Sequence, residues 1–260
     1  MMIELCRETY RYRELIWALA LKELKIRYKR SVLGFLWALL NPMLLMLVLT
    51  LVFTVIMPML SKPHYAIFVL SALIPWTFFA QSLSYGAESI VGNADLIKKV
   101  RVAKLVFPVA ALVSNLINLL LSLIPLALIV VAMGHPFHWT WIFLPVALLA
   151  LTLITLGMNF FFAAANVYYR DISHILQIII QLWFYVSPII YSKDLIPAKY
   201  QFFFKLNPMY YVLNEFRLSI YDGLLPEWTN IFACFVCGLG SLIIGFYVFR
   251  RYQDEFVFYA

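Results

Sequence analysis

Charge is what this 260-residue sequence has least of. Charged residues make up 13% of the chain and hydrophobic residues 64%, against about 25% and 45–50% in soluble domains. Residues 31–61, 63–87, 105–169, 172–192 and 228–249 contain no Asp, Glu, Lys or Arg at all. Runs of that length exclude an ordinary water-sealed core and read as an all-α integral membrane protein. The same absence argues against a proton- or sodium-coupled carrier, whose relays rest on ionisable groups inside the membrane. None of the nine glycines is followed by lysine, so no phosphate-cradling loop exists and no cofactor is expected in this chain. Acids are scattered, and His64, His135, His138 and His174 lack metal-ligand spacing. Both facts disfavour a membrane-embedded glycosyl- or acyltransferase. Cysteine is scarce: Cys6, Cys234 and Cys237. The Cys-x-x-Cys spacing suits redox or metal chemistry only with His or Lys neighbours, and without them the pair reads as small packing residues. The first thirty residues are too charged for a cleavable signal.

What is present is length and punctuation. About twenty apolar residues cross the hydrocarbon as a helix. The 105–169 run is too long for one crossing. Gly134-His135-Pro136 breaks it, with Trp139 and Trp141 beyond as interface anchors. Six spans result, with both termini on one side. Of the twenty Lys and Arg residues, fifteen fall in 1–30, 88–104, 166–171 and 250–260. The other five are Lys62, Lys193, Lys199, Lys205 and Arg217. A basic excess marks the cytoplasmic side, so both termini are expected there. The junction is Arg27 to Pro42, where a basic cluster gives way to the first span. Residues 1–30 read as an amphipathic helix in the headgroup plane, or else as a solvated helix docked on a partner. Residues 31–260 read as the spanning domain. At one edge Asp171 stands beside Arg170 and reads as its partner.

Polar residues inside the spans follow helical spacing. Asn41-Pro42 is expected to kink span one. Ser114, Asn118 and Ser122 form a ridge for interhelical hydrogen bonds, and Cys237, Ser241 and Gly245 a small-residue ridge for close packing. In span five Gln177, Gln181 and Tyr185 share one face, with Trp183 and Phe184 beside them. That face reads either as glue between helices or as the lining of a polar passage. Segment 193–227 holds two apolar pieces too short to cross, Leu195–Phe204 and Met209–Ile220, which read as re-entrant or interfacial helices. In the basic loop 88–104, Asn93 or Asp95 is placed to cap a short helix running Leu96-Ile97-Lys98-Lys99-Val100. That loop is an ordinary positive-inside connection or a coupling helix seated in a partner's groove.

The ordered pieces Arg27-Tyr-Lys-Arg-Ser-Val-Leu-Gly-Phe-Leu-Trp-Ala-Leu-Leu-Asn-Pro42, Leu73-Ile-Pro-Trp-Thr-Phe-Phe79, Asn93-Ala-Asp-Leu-Ile-Lys-Lys99, Trp183-Phe-Tyr-Val-Ser-Pro-Ile-Ile-Tyr191 and Asn207-Pro-Met209 resemble the ABC-type polysaccharide-export permeases. These move O-antigen, capsule or teichoic-acid polymers, and the O-antigen branch looks nearest. The resemblance implies a homodimer of six-span subunits in the bacterial inner membrane, with two copies of a separate ATPase that would hold the ATP and magnesium. It implies an interfacial helix over 1–30, re-entrant helices within 193–227 near the exit, and a lipid-linked polysaccharide as substrate. It also implies a coupling helix, here Asn93, Asp95, Leu96, Ile97, Lys98 and Lys99. A polymer path needs weak, repeated contacts, which aromatic faces and amides supply without fixed charge. Trp37 and Asn41 on span one, and Gln177, Gln181, Trp183 and Tyr185 on span five, are the candidates. A drug or small-lipid exporter is the rival permease, and the ordered motifs disfavour it.

Overall fold

The computed structural model describes residues 2–27, 29, 31, 33–34, 36–56, 62–100 and 102–259. Among these residues the chain is helical and forms no strand. Tyr28, Arg30, Val32 and Phe35 of the basic junction lie outside the described residues. The single amphipathic helix expected over 1–30 is instead two, α1 (Met2–Arg11) and α2 (Arg13–Arg27), broken at Tyr12. Ile16, Leu19, Ala20 and Leu24 form the buried face of α2. Ile16 and Leu19 join Leu5 in a cluster with Val106 and Val109 of α6 (Val106–Ala132). On the two flanks of that face Trp17 and Ile26 are more than half exposed.

Among the described residues, five helical stretches are long and apolar enough to cross a membrane: Leu39–Ile56, Tyr65–Glu88, Val106–Ala132, Trp139–Tyr168 and Trp228–Tyr259. They fall on α3 (Leu36–Leu51), α4 (Tyr65–Glu88), α6, α7 (Leu144–Tyr168) and α11 (Trp228–Tyr252). Pro42 lies inside α3, which continues through it. The uncharged run 172–192, expected as span five, yields only α8, the 15 residues Ile172–Val186. At 1.5 Å per residue that is roughly 22 Å, short of a hydrocarbon core of about 30 Å. The reason is local. Ser187 precedes Pro188, and a residue before proline is pushed out of the helical region. Ser187 sits at φ −93° and ψ 141°, and the helix stops there.

At the centre stands α4, buried along most of its length, with α3, α6, α7 and α8 around it. Peripheral α3 and α8 leave Leu44, Leu47 and Val48, and Ile175, Ile178 and Leu182, exposed. α7 and α11 make the tightest joint. The Ser241 hydroxyl donates to the Ile154 carbonyl at 2.9 Å, and a side-chain carbon on Gly245 would run into the backbone of Gly157. The small-residue ridge thus packs as its spacing predicts. The ridge on α6 does not. Ser122 donates within its own helix to the Asn118 carbonyl at 2.8 Å. The Ser114 hydroxyl and Asn118 amide have no partner among the described residues.

Side chains knit each end of the bundle. At the basic end Asn166 donates to the Ala87 carbonyl and accepts from the Ser173 backbone N–H, both at 3.1 Å. There Tyr168 donates to Glu255 at 2.7 Å, Lys104 to the Gln253 carbonyl, and Arg250 pairs with Glu4. Asp171 occupies the N-cap position of α8 without a capping bond and forms no ion pair with Arg170. At the far end Tyr65 donates to Ile190, Tyr221 to Pro63 and Thr140 to Ser219. The segment 172–190, which includes α8, therefore reaches from the basic end to the far end of the bundle.

Packing at the α7–α11 joint makes a controlled prediction. Gly245→Ala should lower the thermal stability of the detergent-purified protein by about 1–3 kcal/mol, the usual cost of overpacking. Gly240→Ala, which meets open space, should not lower it. Equal melting curves for the two variants would refute the close approach.

Candidate substrate groove

Because α3 and α8 flank α4 without closing over it, a groove of about 430 Å³ opens between them. Its floor is Leu73, Trp76, Thr77, Ala80 and Gln81 of α4, and its walls include Leu45 and Leu49 of α3 and Gln181 and Tyr185 of α8. Among the described residues no charged side chain lines it. Helical geometry extends both walls. Trp37 and Asn41 lie at four-residue spacing before Leu45, on one stripe of α3, and both are exposed. Gln177 lies one turn before Gln181 on α8, and both amides are exposed. These glutamines are therefore not glue between helices of this chain. The floor carries a signal that the sequence reading missed: Thr77 and Gln81, a polar pair at the same spacing inside an uncharged run.

Trp183 does something else. Its indole N–H donates to Asn207 Oδ1 at 2.8 Å. Its ring meets Phe79 edge-on at 5.2 Å and Trp76 at 6.5 Å, behind the groove. Asn207 also accepts from the Met209 backbone N–H and donates to the Ser187 hydroxyl, both at 3.0 Å. Two motif pieces distant in sequence, Trp183–Tyr191 and Asn207-Pro-Met209, thereby form one knot at the end of α8.

Arg217, counted from sequence among the outer basic residues, is buried instead, at 7% exposure. Its guanidinium lies 3.8 Å from the Phe68 ring and donates to the Pro188 and Ile189 carbonyls at 2.8 and 2.9 Å. The two apolar pieces of 193–227 differ. α9 (Gln201–Lys205) exposes Phe202 and Phe203, whereas α10 (Pro208–Arg217) buries Met209, Val212, Leu213 and Phe216. α10 also buries Glu215, with one carboxyl oxygen unpartnered among the described residues. Burial, with Glu227 nearby, pushes the Glu215 carboxyl up to about 7. Sequence separation also hid a histidine cluster: the His135 ring meets His64 at 5.3 Å and His138 at 5.5 Å. The described residues hold no group of metal-binding side chains.

The basic loop forms α5 (Ala94–Lys99). Asn93 occupies the cap position, but its amide donates to the Ser89 carbonyl at 2.9 Å instead of capping. Ile97 is buried and Leu96 half-buried, both in the cluster that holds Phe256 and Val106. The apolar side of α5 is thus used by its own chain, and Asp95, Lys98 and Lys99 form its exposed side.

Long apolar helices without internal charge, an uncovered polar-aromatic groove and an amphipathic start define a multi-pass membrane protein with an open groove on one face. The family model for the ABC-2 type transporter matches residues 14–221, and the chain belongs to that family. Among its relatives is the O-antigen export system permease protein RfbA of Myxococcus xanthus, 36% identical over 98% of both chains. An O-antigen export system permease protein RfbA of Klebsiella pneumoniae is 29% identical over 90% of both. The polysialic acid transport protein KpsM of Escherichia coli is 26% identical over 91% of this chain and 93% of its own.

Three variants test this geometry. Asn207→Leu strands the Trp183 and Met209 donors and should cost about 1–3 kcal/mol per buried group. Gln181→Leu should leave the melting temperature of the purified protein nearly unchanged; an equal loss would return Gln181 to a packing role. Glu215 gives a pH signature. A carboxyl raised in the folded state withdraws stability as pH climbs from its unfolded value of 4.5 towards about 7. Glu215→Gln should therefore raise the melting temperature at pH 8 and change little at pH 4; a shift of the same size at both values would contradict the burial argument.

Proposed function

We propose that this chain is the permease subunit of an ATP-driven exporter of lipid-linked polysaccharide, with O-antigen the favoured cargo. It works as a homodimer with two copies of a cytoplasmic ATPase in the bacterial inner membrane. The observation that carries this reading is the uncharged, uncovered groove. Alone in hydrocarbon, Gln177 and Gln181 would each cost a few kcal/mol as unpaired amides. A second copy facing α3 and α8 would close the two grooves into one passage lined by amides and aromatic rings. Such walls hold sugars weakly enough for a polymer to slide. The relatives named for O-antigen export support the cargo. The relative named for polysialic acid transport supports a capsule polymer as the second reading.

In this reading α8 is the sixth crossing, its short length met by local bilayer thinning and by the segment 187–227 at its end. Both termini are cytoplasmic and α1–α2 lie at the lipid boundary. α9 and α10 form the re-entrant region at the outer exit. The exposed side of α5, with Asp95, Lys98 and Lys99, meets the ATPase, while Ile97 and Leu96 carry its motion into the bundle. ATP and magnesium belong to that partner.

Reconstitution tests the reading. Proteoliposomes holding the chain and its ATPase should move a labelled lipid-linked polysaccharide in an ATP-dependent manner, and the chain alone should hydrolyse no ATP. Gln177→Leu with Gln181→Leu should assemble normally and cut transport at least about tenfold, the loss expected from about 1.4 kcal/mol of weakened passage contacts. Full transport by that variant would remove these residues from the path. ATP hydrolysis by the chain alone would overturn the assignment.

A further inference from the structure

We infer that Arg27, with Lys22 beside it, holds the phosphate of a lipid headgroup in a pocket between α2 and the end of α4. Arg27 closes α2, and its guanidinium is fixed on two sides. It stacks 3.8 Å from the Tyr85 ring, and Nη1 donates to Asn115 Oδ1 at 2.9 Å. Asn115 is itself buried and anchored by a 2.9 Å bond to the Ala111 carbonyl. Nε and Nη2, the edge of the guanidinium that binds oxyanions side-on, have no partner among the described residues and are shielded from water. A charged group held rigidly with two buried donors unmet is costly without a ligand.

The space beside it fits an anion. The pocket, about 260 Å³, is lined by Lys22, Glu23, Arg27, Tyr85, Ser89 and Asn93, with exposed Glu88 at the rim. Glu23 stands one turn before Arg27 yet forms no ion pair with it, and one of its oxygens is also unpartnered. Burial pushes the Glu23 carboxyl up to about 7, so near neutrality it opposes an anion only in part. A second groove runs on along α2 past Lys22, Lys25 and Lys29, with Ala18, Leu21 and Ile26 between them. Ammonium groups beside exposed apolar side chains suit a phosphate with a lipid tail better than a carboxylate of a protein partner, which would leave Ile26, 58% exposed, without a cover. The phosphate has two possible sources: a membrane phospholipid, or the lipid carrier of the polymer if the export reading above holds.

Binding of radiolabelled farnesyl diphosphate to the full chain in dodecyl maltoside tests the site. Arg27→Gln should weaken it at least about tenfold, the scale of lost charge-assisted hydrogen bonds. Lys22 is exposed, so Lys22→Gln cannot disturb packing, and it should weaken binding severalfold; Glu23→Gln should tighten it. Farnesol, lacking phosphate, should not compete. Competition by dihexanoyl-phosphatidylglycerol assigns the site to phospholipid, and its failure to compete assigns it to a diphosphate carrier. Wild-type affinity in both the Arg27 and Lys22 variants, or equal competition by farnesol, overturns the proposal. So does unchanged affinity in Arg27→Gln combined with loss of ATPase assembly, which would give the pocket to a protein carboxylate. The binding measurement itself needs no transport and no ATPase, which enters only the assembly control, so failure of the export reading would leave the binding result standing.

Discussion

A backbone carbonyl removed from water needs a donor, and the break after α8 leaves carbonyls that its own helix does not bond. Those of Pro188 and Ile189 accept from Arg217, and that of Ile190 accepts from the Tyr65 hydroxyl. The donors come from α10 and α4, so each bond ties the end of α8 to the core. The Trp183–Asn207 bond then sets the rotation of the helix. With Trp183 held inward, Gln177, Gln181 and Tyr185 stay exposed, and Gln181 and Tyr185 form the open wall of the groove beside α4. A buried guanidinium is costly, but here it has two carbonyl acceptors and an aromatic face, and removing it would strand both carbonyls.

Much of the bundle was legible because hydrocarbon enforces it. Uncharged runs located α4, α6, α7 and α11 because charge cannot enter them, and the α11 ridge was legible because close packing demands small residues. The partner of that ridge, Gly157, was not, since one glycine in a long apolar helix carries no periodic signal. Span five was placed by lack of charge, but only the proline rule explains why it stops at 15 residues. The stripes of the groove were readable as four-residue spacing. Trp183 was misplaced because adjacency to the ridge does not fix which way a ring turns. Arg217 and Asn207 were hidden because their partners lie far away in sequence. Ile97 was read as an outward contact, yet six residues of helix are too short for periodicity to separate an inner face from an outer one.

The two ends of the bundle do different physical work. The far end is held by neutral donors and one buried cation on backbone carbonyls, by the Asn207 knot, and by the exposed Lys62–Asp194 ion pair at 3.5 Å. The basic end is held by side-chain pairs such as Tyr168–Glu255 and Arg250–Glu4, among short helices that cross from one segment to another. In the proposed exporter that is the end at which an ATPase would push. α5 packs on the same cluster as α2 and Phe256, so movement of α5 would reach the start of the chain and its closing helix together.

The central claim is that Gln181 faces a water-filled passage that the polymer occupies. Labelling of Gln181→Cys by a water-soluble maleimide, in a cysteine-free chain assembled with its ATPase in membranes, measures this directly. Rapid labelling without substrate and protection by the lipid-linked polysaccharide are predicted. A thiol that stays unlabelled, or one whose labelling rate the polysaccharide leaves unchanged, would contradict it.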